Sequence, residues 1–333
     1  MISQRSNYKY NFTIFSVNAD YLEPILGCLR SLDNVRVLSS GIDSKNRLMQ
    51  KMFKFHWSAK VNRRIKLPLH RIWYKRMMGK PFDNDKPNCY VLLGAQYARQ
   101  NNGEFMDYLR RNDPTCKIVL SYLDLIKDSA PTIEMFKNKA DLITTYEKEE
   151  AKKFSIAFIE ETMYAQTIED TTTADEQEDD VYFLGYAKNR LTAIMSAYHR
   201  LVNAGAKCNF NIVGVDMDKQ EEGEGLHYIQ PMPYGVYLKN MLNAKCILEV
   251  NQAGAHGTTM RTLEAIAYKR KLLTNSDELM SEPFFNPCQM QSYSNANEID
   301  IDFVKRPLSQ VKMLDNFDLS PEKRLRAMEE LLP

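Results

Sequence analysis

Short apolar runs alternate with stretches of helical spacing along most of the chain. Residues 11–17 form an apolar run predicted to be a strand, and Leu22, Ile25, Leu26, Leu29 and Leu32 then fall at helical spacing over 20–32. Further strands are expected at 35–39, 88–94, 117–122 and 140–145, with a helix at 104–111 and a turn at Asp113 and Pro114. Strands separated by helical stretches imply parallel pairing through crossover connections.

The pattern breaks at 169–180, where seven of twelve residues are acidic and none is aromatic. Such a stretch buries little apolar surface and reads as a solvated linker. Beyond it the alternation restarts. Strands are expected at 181–184, 209–213, 246–250 and 271–274, and helices at 189–202, 234–243 and 258–268. Ser320, Pro321 and Glu322 mark another helix start. The expected architecture is α/β, with two Rossmann-like parallel-sheet domains at 1–168 and 181–333 joined by the acidic linker. A length of 333 residues suits two cores.

Charge sharpens the division. Residues 1–168 carry 27 Lys/Arg against 18 Asp/Glu, and residues 169–333 carry 17 against 25. No apolar stretch is long enough to span a bilayer, and residues 1–10 lack the apolar core of a secretory signal, so a cytoplasmic location is expected. The six cysteines form no Cys-x-x-Cys pair, which fits free thiols in a reducing compartment. Asp216, Met217 and Asp218 have metal-motif spacing but stand in an acidic loop and read as surface. No metal or other cofactor is expected.

Residues 44–82 contain twelve Lys/Arg and no Asp or Glu, interleaved with Phe53, Phe55, Trp57, Trp73, Tyr74 and Phe82. Cations with interfacial aromatics suit an anionic membrane surface. Nucleic acid is the less favoured partner, because no recognisable binding module accompanies the segment.

The densest chemistry lies in 246–275. A predicted strand feeds a small-residue loop containing Gly254, His256 and Gly257, and the loop opens a helix at Thr258 or Thr259. A helix N-terminus presents unpaired N–H groups to phosphate, and glycines allow close approach. Arg261 can add a fork of donors to a diphosphate, and Glu264, one turn on, can accept from vicinal hydroxyls. A second loop, with Gly185, Lys188 and Arg190, repeats the glycine-and-cation pattern before the helix at 189–202.

These residues carry a family resemblance. Phe183, Leu184 and Gly185, then Arg190 and Leu191, Phe210 to Ile212, and the run from Ile247 to Asn275 resemble the donor domain of GT-B glycosyltransferases. The nearest group is bacterial capsule and lipopolysaccharide biosynthesis proteins. Leu67 and Pro68, Ile72 to Lys75, Tyr108 to Arg110, Lys117 to Leu120 and Asp141 to Tyr146 resemble its first half, so the likeness covers about residues 10–305. The resemblance implies sugar transfer from a nucleotide-sugar to a saccharide or lipid-linked saccharide. It places the ribose on Glu264, the diphosphate on Gly185, Lys188, Arg190, Thr258, Thr259 and Arg261, and the base near Gln230 and Met232, with Gly254 and Gly257 among the donor-binding residues.

Many retaining members carry two glutamates eight positions apart here, and this chain has His256 at the first, where it could contact the sugar or the transferred phosphate. An inverting transfer needs a base from the first half, for which Asp20 and Asp124 follow predicted strands. Three other readings stay open: an epimerase on the same fold, a binding protein without catalysis, and a nucleic-acid-binding protein built on 44–82.

Overall fold

Among the described residues, twelve strands form two six-stranded sheets, and every strand pair is parallel. The computed structural model describes residues 7–16, 22, 26–39, 41–65, 67–94, 99, 103–163, 178–252, 258–315 and 317–333. Contacts divide the chain into two units: Met1–Tyr164 with Ser320–Pro333, and Ala165–Leu319.

The N-terminal unit contains β1 (Asn11–Phe15), β2 (Val35–Leu38), β3 (Asn88–Leu93), β4 (Lys117–Ser121), β5 (Leu142–Thr145) and β6 (Ala157–Phe158). Their order is β2-β1-β3-β4-β5-β6. Between β2 and β3 come α1 (Arg47–His56), α2 (Ala59–Arg64) and α3 (Tyr74–Met78); α4 (Glu104–Asn112), α5 (Ala130–Lys137) and α6 (Lys148–Phe154) follow. β3, β4 and β5 are almost wholly buried, as strands covered on both faces must be.

The C-terminal unit contains β7 (Asp179–Tyr186), α7 (Leu191–Asn203), β8 (Cys208–Val213), β9 (Leu226–Ile229), α8 (Tyr234–Leu242), β10 (Ala244–Glu249), α9 (Met260–Ala267), β11 (Lys271–Thr274), β12 (Met290–Ser292) and α10 (Ile301–Lys305). The order is β12-β11-β10-β7-β8-β9. Side chains alternate between two cores: Val181 and Phe183 of β7 join one cluster and Tyr182 the other, the period-two pattern of a strand.

Each unit is therefore a Rossmann-like sheet with helices, as the periodicity predicts. The differences are local. β6, β9 and β12 have two to four residues each, too few to establish an alternation. Of the helix expected at 20–32, the described part includes a 3-10 turn at Gly27–Ser31. Of the linker expected at 169–180, residues 169–177 lie outside the described residues, while Asp179 and Asp180 open β7 and Asp180 is buried, which corrects the solvated reading at that end.

The last helix corrects the assignment of 181–333 to a single domain. α11 (Pro321–Leu331) belongs with the N-terminal unit. Its Arg324 is buried, donates to Glu161 and to the Ser121 hydroxyl, both at 2.8 Å, and so ties α11 to the end of β4. An isolated helix-start motif says nothing about which core its helix joins.

The aromatics of 44–82 need a second correction. Phe53, Trp57, Trp73 and Tyr74 are buried in the N-terminal core, and Phe82 lies under the Arg36 guanidinium at 4.4 Å. Only Phe55 of the six is exposed as an interfacial aromatic would be. Their large apolar areas stabilise the unit more by packing than by facing solvent.

Candidate functional site

The C-terminal sheet reverses its order between β7 and β10. β8 and β9 continue on one side of β7, while β10, β11 and β12 lie on the other. At such a reversal the loops leaving the carboxyl ends of the two central strands diverge to opposite faces and open a crevice for a ligand. The loop after β7 carries Lys188 and Arg190. The loop after β10 runs from Val250 to Thr259, and its residues 253–257 are outside the described set.

Arg190 occupies the N-cap position of α7 and joins the two strand ends. Its Nε donates to the Tyr186 carbonyl at 3.0 Å, and its Nη1 donates to the Val250 carbonyl. Gly185 makes room for it: a Cβ there would stand 2.7 Å from Arg190 Nη2 and 3.1 Å from the Phe183 ring. The glycine thus serves the approach of an arginine side chain. Lys188 is exposed at a φ of 44° in the turn before α7.

Arg261 enters from α9. Its Nη2 donates to the Leu184 carbonyl at 3.3 Å, its Nη1 to Glu264 Oε2 at 2.7 Å, and its guanidinium lies 4.2 Å from the Tyr237 ring centroid. The two arginines thereby meet at the end of β7. Burial, and then the charge of Arg261, push the Arg190 pKa down, against the pull of Glu249. Burial also works against Arg261, but Tyr237 and Glu264 outweigh it and hold its pKa above the usual arginine range. Two desolvated cations so placed favour an anion beside them.

Glu264 is fully buried. Its Oε2 also accepts from the Tyr237 hydroxyl. The Tyr234 hydroxyl faces the same carboxylate, and burial together with Glu264 raises its pKa. Oε1 has the Tyr234 hydroxyl beside it as a donor, which a ligand hydroxyl could replace.

The start of α9 is fixed from below. Thr259 caps the helix, its hydroxyl accepting from Arg261 N at 3.1 Å and donating to Glu249. Glu249, buried at the end of β10, also accepts from Thr262 at 3.2 Å and Thr274 at 2.5 Å. Thr258 and Thr262 line a small pocket with Ser276, Leu279 and three acids, Glu249, Glu278 and Glu282.

Of the residues anticipated from the sequence, Gly185, Arg190, Arg261 and Glu264 come together at the β7–β10 reversal, and Thr258 and Thr259 open the helix that carries the last two. Met232 is half-buried against the core, its sulfur 3.9 Å from the Tyr182 hydroxyl, and Gln230 is exposed after β9. Gly254, His256, Gly257 and Asp20 lie outside the described residues. Asp124 is exposed after β4 of the N-terminal unit, one strand away from that sheet's own reversal between β1 and β3. Asp216, Met217 and Asp218 lie in an exposed turn, where Asp216 pairs with Lys219 at 3.0 Å. Among the described residues no group of three or more His, Cys, Asp or Glu is placed to hold a metal ion.

Sequence reasoning missed Tyr237 and Glu249. The signal for Glu249 was present: it is the lone charge in the apolar run 246–250. Tyr237 carried no signal, because only folding brings α8 against α9.

No protein-family model matches the chain, and no curated protein matches it. Solved structures do. The catalytic domain of starch synthase IV from Arabidopsis thaliana, bound to ADP and acarbose, is similar at a TM-score of 0.52 and 9% identity, covering 74% of this chain and 73% of that one. A DNA-modifying β-glucosyltransferase, studied with and without uridine diphosphoglucose, is similar at a TM-score of 0.50 and 16% identity, covering 96% of each chain. At these identities the likeness concerns the fold, which is two Rossmann-like domains of the GT-B type.

Proposed function

We propose that this protein is a glycosyltransferase that holds a nucleotide-sugar at the β7–β10 reversal. The observation that carries the reading is the meeting of Arg190 and Arg261 at the carboxyl end of β7, beside the buried Glu264 carboxylate. The fold likeness supports it: one similar structure binds ADP and another takes uridine diphosphoglucose.

On this reading the two guanidiniums and the N-terminus of α9 face the donor diphosphate, and exposed Lys188 adds a third cation. When the bond from sugar to phosphate breaks, negative charge grows on the leaving diphosphate. Donors already fixed by backbone carbonyls stabilise that charge without reorganising. Glu264 Oε1 accepts a ribose hydroxyl, with the base toward Gln230 and Met232. Thr258 and Thr259 open α9 on the phosphate side, and Gly254 and Gly257 of the preceding loop are assigned to the donor from the sequence. His256 is assigned to the transferred sugar, and Asp20 or Asp124 to the acceptor hydroxyl. Charge stabilisation rests on the chain's own cations, and no metal is assigned a role. The acceptor is a saccharide or lipid-linked saccharide in surface-polysaccharide assembly, matching the sequence resemblance.

Thermal unfolding against UDP-, GDP-, CMP- and dTDP-sugars tests the donor site. A ligand at 100 times its dissociation constant, binding only the folded state, stabilises by about 2.7 kcal/mol. One nucleotide class should raise the melting temperature of the wild type, and Arg190→Ala should lose most of that rise. No rise with any nucleotide-sugar at millimolar concentration would overturn the assignment. Release of free nucleotide diphosphate only when a saccharide acceptor is added then separates transfer from epimerisation, which returns the nucleotide-sugar intact.

A further inference from the structure

Six of the eleven exposed large apolar side chains among the described residues fall between residues 48 and 72: Leu48, Met52, Phe55, Ile65, Leu69 and Ile72. Leu48, Met52 and Phe55 stand at i, i+4 and i+7 of α1 and so form one stripe along the helix. The stripe is not the core-facing side, which is marked by buried Phe53 and by Met49 packed against the core. Arg47, Lys51 and Lys54 are also exposed, on a third side of the same helix.

The segment that follows is pinned to the end of α1. His56 Nε2 donates to the Pro68 carbonyl at 2.8 Å, its Nδ1 accepts from Trp73 Nε1 at 2.7 Å, and its ring stacks on His70 at 4.6 Å. Between Pro68 and His70 stands Leu69, at a φ of 64° with 72% of its surface exposed. A bulky leucine in the left-handed region is strained, and nothing in its own packing repays that strain. The fold holds an apolar side chain out into solvent on the loop that His56 pins to the end of α1.

We propose that this face is a docking surface for an anionic lipid membrane, with Leu48, Met52, Phe55 and Leu69 entering the acyl boundary and the surrounding cations meeting the headgroups. The charge is complementary over the whole segment: twelve Lys/Arg and no Asp or Glu in 44–82, with Asp43 and Asp83 at its edges, Asp43 accepting from Lys80 N at 3.3 Å, and Glu104 paired with Arg71. Aliphatic side chains beside exposed cations are what an interfacial helix presents to lipid. Single-stranded nucleic acid would be gripped by stacking on aromatics, and Trp57, Trp73 and Phe53 are buried. A second copy of the same cationic face would be repelled. The inference stands apart from the donor site, and it moves the membrane contact from the tryptophans to the aliphatic stripe.

Co-sedimentation of the full chain with phosphatidylglycerol/phosphatidylcholine vesicles and with phosphatidylcholine vesicles tests it, with duplex and single-stranded DNA as competing probes. The wild type should pellet with the anionic vesicles and hardly with the neutral ones. The triple variant Leu48→Ser, Met52→Ser, Phe55→Ser changes exposed positions only, so it should keep the wild-type melting temperature while its apparent vesicle affinity falls at least about tenfold. Leu69→Gly should weaken vesicle binding and, by relieving the backbone, leave stability equal or higher. Failure to bind anionic vesicles, unchanged binding by a folded triple variant, or DNA displacing the vesicles would each overturn the proposal.

Discussion

Arg261 Nη1 lies 2.7 Å from Glu264 Oε2 along one turn of α9, and the same oxygen accepts from the Tyr237 hydroxyl. The pair aims one arginine fork at the strand ends, and the other carboxylate oxygen has the Tyr234 hydroxyl beside it. Two residues three positions apart are thus one unit, able to meet a phosphate with its cation and a hydroxyl with its anion.

Removing one half of that unit exposes its cost. Arg261→Ala leaves the Glu264 carboxylate buried without its ion partner. Loss of a buried partner costs about 3–5 kcal/mol, and Arg261 keeps 26% of its side chain exposed, so about 2 kcal/mol is expected. Adding Glu264→Ala to Arg261→Ala should recover part of the loss. Urea unfolding of the two single variants and the double variant gives the coupling; strictly additive losses would mean the pair is not a unit.

Gly185→Ala tests the arginine on the other loop. Gly185 is not among the glycines with positive φ, so its backbone accepts alanine, but the new Cβ would meet Arg190 Nη2 and the Phe183 ring. Stability should fall by only about 1 kcal/mol. Affinity for a nucleoside diphosphate should fall by about tenfold or more, as displacement of a charged donor implies. Calorimetric titration of both proteins checks this, and equal affinities would detach Arg190 from the ligand.

Glu249 is expected to act through the threonines. Glu249→Ala strands the hydroxyls of Thr259, Thr262 and Thr274, of which Thr262 and Thr274 are buried, for a loss of about 3 kcal/mol. Glu249→Gln keeps one acceptor oxygen and should lose less. Because Thr259 caps α9, both variants should also weaken nucleotide binding. Chemical denaturation beside nucleotide titration separates the effects; full stability in Glu249→Ala would contradict the hydrogen-bond account.

In the N-terminal unit, Arg324→Met should loosen α11 alone. It breaks a pair whose side chains are only 8% and 10% exposed, for about 3 kcal/mol. Hydrogen exchange should rise first across Pro321–Leu331, while β7 to β12 keep their protection. A uniform rise through both units would show that α11 is not a local clamp.

The sequence by itself determined the two Rossmann-like halves. Long runs such as 88–93 and 181–186, and helical spacing such as that of Leu191–Asn203, repeat a period that only one kind of element satisfies. It also put Gly185, Arg190, Arg261 and Glu264 beside strand ends and helix starts, because glycine, cation and helix start are neighbours along the chain. Tertiary structure decided what depends on distance through space. It set Tyr237 against Glu264, joined Glu249 to threonines up to 25 positions away, and returned α11 to the first unit. It also reversed the reading of 44–82, burying the tryptophans and leaving leucines in water. Composition gives the apolar side chains a segment has; packing alone chooses which of them the core can hold.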